Sequence, residues 1–288
     1  MAPQVSIVMR SHNDIEYIEK TLEMIFKQNF TDFELINVDC SSTDGTFDVI
    51  KRFNPDKSYQ IPPQEYIPGK VLNDAVKKCR GAIVVFNNSD CLPCDKNWLG
   101  NLVRPILDVK AVAVYGRQMP RPDAIPLVKK DNERAFSSVS QGWFHFFSLA
   151  TSAILKAELE PYPFNNKLQY SEDVEWSYRA RKRGSVITFA NDACVEHSHN
   201  YTPEQMKKRF YGEGFAEGAI YGRRGRKDGF FSKVLMSMTA EILRDVRYLL
   251  KNGQAGWILK SPAYRWRQRY WAYKGLKDYF KSTGSGGK

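Results

Sequence analysis

The chain has 288 residues, 42% of them hydrophobic and 13% aromatic, which is enough for a real core and too apolar for a disordered protein. It shows no apolar stretch near the ~18 residues of a membrane span, and Met1-Ala2-Pro3-Gln4 lacks the features of a signal peptide, so a cytoplasmic protein is expected. The net charge of +11 is uneven: residues 1–200 hold 24 Lys and Arg against 25 Asp and Glu, and residues 201–288 hold 19 against 7.

Val5 to Met9 reads as a first strand, followed by Ile15, Ile18, Leu22, Ile25 and Phe26 at helical spacing. Phe33 to Val38 is a second strand, and the loop from Asp39 to Thr46 is rich in capping residues and starts a helix through Phe47, Val49, Ile50 and Phe53. A short strand at Tyr59 to Ile61, a helix from about Lys70 to Lys78 and the apolar strand Ala82 to Phe86 continue the alternation, which predicts a parallel sheet with right-handed crossovers. Trp98 to Leu107 forms the next helix, and Ala111 to Tyr115 another strand. The segment with Pro120, Pro122 and Pro126 reads as a loop at the edge of a cleft.

Ser148 to Leu155 is a further strand. Ser171 reads as the N-cap of a helix that ends near Arg183 at Gly184, and Val186 to Phe189 returns to strand. Beyond Pro203 the pattern is helical, with Leu235, Met238, Ile242, Val246 and Leu249 on one face. The domain expectation is a catalytic unit over 1–218 and a basic, aromatic-rich helical extension over 219–288, whose last residues have the composition of a flexible tail.

Groups able to do chemistry recur where strands and helices meet: Asp39, Asp90, Glu172-Asp173, and His197 with His199. Singly they are weak signals, because the helix dipole favours acids in a first turn whatever their role, and a lone Asp after a strand is a common turn residue. The run Gly81 to Phe86 followed by Asn87-Asn88-Ser89-Asp90 is stronger: ligands of open α/β sheets collect beyond the carboxyl ends of buried parallel strands.

In their order these segments resemble family 2 glycosyltransferases over residues 4 to 218. The resemblance rests on Ser6 to Asn13, on Val38-Asp39-Cys40-Ser41-Ser42-Thr43-Asp44-Gly45-Thr46, on Gly69 to Asn73, on Asn88-Ser89-Asp90 in the place of an Asp-x-Asp motif, and on Glu172-Asp173 with Arg179 and Gly184. Cys40 and Asn88 stand where many members carry an aspartate. His197-Ser198-His199-Asn200-Tyr201, with Lys208 to Tyr211 and Gly214, is most similar to the rhamnosyltransferase branch.

The resemblance implies a GT-A fold, Rossmann-like with a mostly parallel central sheet, and an inverting enzyme using a nucleoside-diphosphate sugar, with dTDP-rhamnose favoured and a UDP-sugar next. It implies Asp173 as general base beside Glu172, and donor contacts from Arg10, Ser11, Asp39, Lys70, Asn73, Asn88, Ser89 and Asp90. Mg2+ or Mn2+ would sit on Asp90 with His197 and His199, since one carboxylate suffices for a cation that completes its shell with phosphates and water. The acceptor would be a glycan or lipid-linked hydroxyl in cell-surface polysaccharide synthesis.

Two other readings follow from the residues. The weakened Asn88-Ser89-Asp90 also suits a non-catalytic, glycosyltransferase-like binding protein, and Cys91-Leu92-Pro93-Cys94 has the form of a thiol–disulfide motif. The cysteines are five in number and are expected to be reduced. Arg223 to Lys227 and Tyr264 to Trp271 mix cations with aromatic rings, as suits an anionic membrane surface at the inner face of the cell membrane. The apolar stripe suits a homo-oligomer equally, and no nucleic-acid motif is present.

Overall fold

A computed structural model describes residues 2–137, 146–222 and 229–284. The chain divides into two compact units, one of Met1–Arg121, Glu133–Lys167 and Glu172–Ser198, the other of Pro122–Asn132, Leu168–Ser171 and His199–Lys288. The basic run Arg223 to Lys227 and the last four residues lie outside the described residues.

The elements run in order β1 (Val5–Ser11), α1 (Ile15–Phe26), β2 (Phe33–Asp39), α2 (Thr46–Arg52), β3 (Lys57–Gln60), α3 (Pro68–Val76), β4 (Ile83–Asn87) and β5 (Leu92–Pro93). There follow α4 (Trp98–Leu107), β6 (Ala113–Met119), α5 (Pro126–Ala135), β7 (Thr151–Leu155), α6 (Lys156–Leu159), α7 (Glu172–Lys182) and β8 (Ile187–Glu196). The last helices are α8 (Pro203–Tyr221), α9 (Ser237–Lys251) and α10 (Ser261–Ser282).

The eight strands among the described residues all belong to the first unit and form one sheet in the order β3-β2-β1-β4-β7-β6-β8-β5. The expected parallel alternation holds for β1 with β2 and β4, for β2 with β3, and for β6 with β8. β7 runs antiparallel to both β4 and β6, and the edge strand β5 runs antiparallel to β8, so the sheet is mixed, with β7 and β5 reversed. Its pleat sends Ile7 and Met9 into one hydrophobic cluster with Trp98 and Leu102, and Val8 into a second cluster with Phe86 and Trp176. Covering both faces is what makes β4 read as an unbroken apolar run.

Three expectations needed revision. The proline-rich loop contains α5, because Pro126 opens a helix where a missing N–H costs nothing. β8 extends to Glu196, well past Phe189: a register shift opposite Gly116 and Arg117 skips Asn191-Asp192-Ala193, whose polar pair had masked the continuation. Ser171 enters α7 with φ +62°, not in the extended conformation of an N-cap.

In the second unit α8 starts on a full capping box from Thr202 and Gln205. It packs on α10 at glycines: a Cβ on Gly214 would run into the Ala272 carbonyl, and one on Gly275 into that of Tyr211. The predicted apolar face of α9 is only half-buried apart from Leu249, and the buried positions beside it are acids, Glu241 and Asp245. They are drawn inward by cations. Lys130 Nζ donates to Glu241 (3.0 Å), and Arg265 Nε donates to Asp245 (2.7 Å) while its Nη1 donates to Asp131 (2.6 Å). Hydrogen bonds from Arg265, Lys130 and Ser261 outweigh burial and hold the Asp245 carboxyl below its usual range.

Candidate active site

Parallel strands end at one edge, and this edge carries Arg10, Ser11, Asp39 and Asn88-Ser89-Asp90. β1 ends at Arg10 and Ser11, β2 at Asp39, and β4 at Asn87, just before Asn88-Ser89-Asp90.

Asp39 is fully buried and its carboxylate accepts four hydrogen bonds: from Ser11 Oγ (2.8 Å), Ser42 N (2.8 Å), Ser42 Oγ (2.6 Å) and Gln60 Nε2 (2.9 Å). The loop it organises turns through Gly45 at φ +97°, and Asp44 accepts from Thr46 N and Oγ1 as the chain enters α2. Asn73 clamps a neighbouring loop: its amide donates to Phe164 O and accepts from Phe164 N, each at 2.9 Å. Lys70 is exposed on α3.

Arg10 is the hub between β4 and α7. Its Nη1 donates to Glu172 Oε1 (3.1 Å) and to the Tyr66 hydroxyl (3.3 Å), and its Nη2 donates to Asn88 Oδ1 (3.3 Å). Ser89 is buried, its amide donating to Arg10 O and its hydroxyl to Asp14. Burial, and then the Asp90 charge, raise the Asp14 carboxyl despite the bonds it accepts from His12 and Ser89.

Asp173 follows Glu172 in the first turn of α7 and accepts from Val174 N (2.8 Å) and Leu149 N (3.3 Å). Burial, and then the Glu172 charge, push its carboxyl up to about 7. Two adjacent acids are thereby separated in role, one ion-paired to a guanidinium and one poised to exchange a proton near neutrality.

Asp90 and His197 also come together, with Nε2 3.4 Å from Asp90 Oδ2. Gln118 sets the tautomer. Its Nε2 donates to Ser148 Oγ (2.8 Å), turning Oε1 towards His197 Nδ1 (2.8 Å), so Nδ1 is the donating nitrogen and Nε2 is the one that faces Asp90. A hard carboxylate oxygen and an imidazole nitrogen at this spacing fit a Mg2+ or Mn2+ ion that takes its other ligands from phosphate and water. His199 lies two residues on, in the second unit, stacked on Tyr201 with centroids 5.2 Å apart.

Sequence reasoning missed Arg121 and Gln118. Arg121 is buried, donates to Asp90 O (2.6 Å), Asp90 Oδ2 (3.3 Å) and Ser198 O (2.8 Å), and lies 3.6 Å from the centroid of the Tyr17 ring. The signal was a charged residue between two prolines immediately after a strand, hidden by ending β6 at Tyr115. The thiol motif is separated: Cys91 is fully buried, with burial raising its thiol well above the usual range, whereas Cys94 faces Cys194.

The chain matches the family described as Glycosyl transferase family 2 over residues 6–165. It is 26% identical over 226 residues to the O-antigen chain rhamnosyltransferase RfbN of Salmonella typhimurium, covering 73% of this chain and 71% of that protein. It is 28% identical over 204 residues to the O-antigen chain rhamnosyltransferase WbaN of Salmonella anatum, covering 65% and 64%. Among solved structures it resembles the mannosyltransferase PcManGT of Pyrobaculum calidifontis in complex with GDP-Man and Mn2+, with a TM-score of 0.66 at 19% identity over 98% of this chain and 88% of that one. The fold is thus the GT-A fold, and the chain belongs to glycosyl transferase family 2 and is a nucleotide-sugar glycosyltransferase.

Proposed function

We propose that the protein transfers a sugar with inversion from a nucleoside-diphosphate donor, dTDP-rhamnose in preference to a UDP-sugar, to a hydroxyl of a glycan or lipid-linked acceptor of cell-surface polysaccharide. The observation that carries this reading is Asp173, a carboxyl pushed up to about 7 beside an ion-paired Glu172 at the edge where β1, β2 and β4 end. A base near neutrality removes the acceptor proton most effectively at physiological pH. Direct attack on the face opposite the leaving nucleotide inverts the anomeric carbon.

Arg10 and Glu172 hold α7, and so Asp173, against the strand edge. Asn88 and Ser89 line the donor diphosphate, and Ser11 and Asp39 read the nucleobase, a base N–H exchanging for the Gln60 amide. Asn73 positions the loop at Phe164, and Lys70 supplies a flexible charge. Asp90 and His197 would hold Mg2+ or Mn2+, which when bound neutralises the charge developing on the leaving diphosphate. The similarity to two rhamnosyltransferases supports the choice of sugar.

The extension from residue 219 is proposed to dock on an anionic membrane that carries the acceptor. Phe231, Leu243 and Leu250 are exposed on its helices, and Lys207 and Lys260 lie over the Trp271 and Trp257 rings. Among the described residues no helix is long and apolar enough to cross a membrane.

Thermal-shift screening against nucleotides and nucleotide sugars with Mn2+ tests the donor, since binding raises apparent stability with affinity. A shift with dTDP-rhamnose that disappears in Asp90→Ala is the expected result. No shift with any sugar nucleotide, in a folded protein that binds Mn2+, would overturn the reading. Salt-sensitive sedimentation with phosphatidylglycerol vesicles tests the docking.

A further inference from the structure

We propose that Cys94 and Cys194 form a thiol–disulfide site that reacts with a low-molecular-weight disulfide and locks the edge of the sheet. β5 is a two-residue strand containing a proline, held to β8 by the pairs Leu92 with Glu196 and Pro93 with Val195. The next step of that register sets Cys94 opposite Cys194, where the Cys94 amide donates to Cys194 O at 2.9 Å and the two sulfurs are 2.7 Å apart. Opposed residues of antiparallel strands have Cα atoms about 4.5–5.5 Å apart, inside the ~4.4–6.8 Å range that a disulfide spans.

Access and reactivity both favour this pair. Cys94 is exposed and Cys194 half-buried, whereas Cys40, Cys79 and Cys91 are buried. The Cys94 S–H donates to Cys194 Sγ, and Arg117 is the register partner of Cys194 on β6. The positive charge of Arg117 beside Cys194 favours its thiolate, so Cys194 is the first nucleophile. Its thiolate attacks one sulfur of the small disulfide, forming a mixed disulfide and releasing one thiolate. That thiolate takes the Cys94 proton, and the Cys94 thiolate attacks the mixed disulfide at Cys194 and expels the second thiolate, which takes up the proton that Cys194 released. One external disulfide becomes two thiols while the protein loses two hydrogens.

The bond would join the strand that follows Asp90 to the strand that precedes His197. An edge with few ladder bonds opens locally without global unfolding, and a covalent link removes that freedom.

The test is incubation of the whole folded protein with glutathione disulfide, followed by intact mass, thiol titration and peptide mapping. Expected are the joint loss of two of the five thiols, a Cys94–Cys194 peptide, reversal by dithiothreitol, and roughly tenfold slower amide exchange over residues 92–96 in the oxidised form. Cys94→Ser should instead accumulate a stable glutathione adduct at Cys194. Retention of both thiols, a Cys91–Cys94 cross-link, protection of the pair by bound Zn2+, or unchanged exchange after oxidation would each overturn the proposal.

Discussion

Replacing Asp173 by Asn isolates the proton-transfer role with little change of shape. General-base assistance contributes about 10²- to 10⁴-fold, so kcat should fall at least about 100-fold while donor affinity is kept. Because the Asp173 carboxyl is pushed up to about 7, the wild-type kcat/KM should fall by about tenfold per pH unit below 7, and the variant should lose that slope. Stability gives a separate check. The folded-state value lies above the usual carboxylate value, so the folded protein binds more protons than the unfolded chain between them, and wild-type stability decreases as pH rises from about 4 to 7. Asn removes that penalty at pH 8 but turns an NH2 towards either Val174 N or Leu149 N, at a cost on the order of 1 kcal/mol. A carboxyl raised to about 7 carries a penalty of roughly 4 kcal/mol at pH 8, which exceeds that cost, so Tm of the variant should lie several degrees above wild type at pH 8 and lose that advantage near pH 4. Nucleotide release from dTDP-rhamnose in the presence of a candidate acceptor, measured from pH 5 to 9 alongside calorimetry, reads all three quantities. Near-normal turnover in the variant, or a flat wild-type profile across neutrality, would refute the assignment.

Gln118→Ala should weaken Mn2+ binding by about 10-fold in titration calorimetry without unfolding the protein, because the metal-facing tautomer of His197 loses its support. Arg121→Met strips two carbonyls and the Asp90 carboxylate of a buried guanidinium, and urea melts should show a loss of about 3 kcal/mol or more. Gly214→Ala forces a methyl into the Ala272 carbonyl and should lower stability by about 1–3 kcal/mol, readable as a lower urea midpoint. Asp245 is held below the ordinary carboxylate value, so its contribution is present above about pH 4 and lost as pH falls through the folded-state value. Melts at pH 3 and 7 should show that Asp245→Asn destabilises the protein much less at the lower pH.

The strand-and-helix alternation was legible because β1, β2 and β4 are buried on both faces and their apolar runs are bounded by turn residues. The loop from Asp39 to Thr46 was legible for a similar reason: Asp44, Gly45 and Thr46 each satisfy a local backbone need, and local chemistry is written in adjacent residues. What stayed hidden depends on distant partners. Nothing near Glu241 or Asp245 announces Lys130 or Arg265, so an ion-paired interior read as an ordinary apolar helix face. Arg121 was missed because the strand carrying it to Asp90 continues through Gly116, Arg117 and Gln118, which alternate poorly. The fold restores the register by pairing them with Ala190, Cys194 and Val195 across a bulge.

The same dependence on partners gives Asn88 a meaning that its position in the motif did not. An aspartate at 88 would face the Arg10 guanidinium, which already pairs with Glu172. Two acids sharing one arginine would divide its charge and weaken the hold on the first turn of α7. The neutral Asn88 amide accepts from Nη2 and leaves Nη1 on Glu172, so the arginine fixes Glu172, whose charge in turn raises Asp173. Loss of a carboxylate at the metal edge and elevation of the candidate base are thus linked through Arg10. Restoring the acid with Asn88→Asp should therefore move the acid limb of the kcat/KM profile, and an unshifted limb measured beside unchanged Mn2+ affinity would break that link.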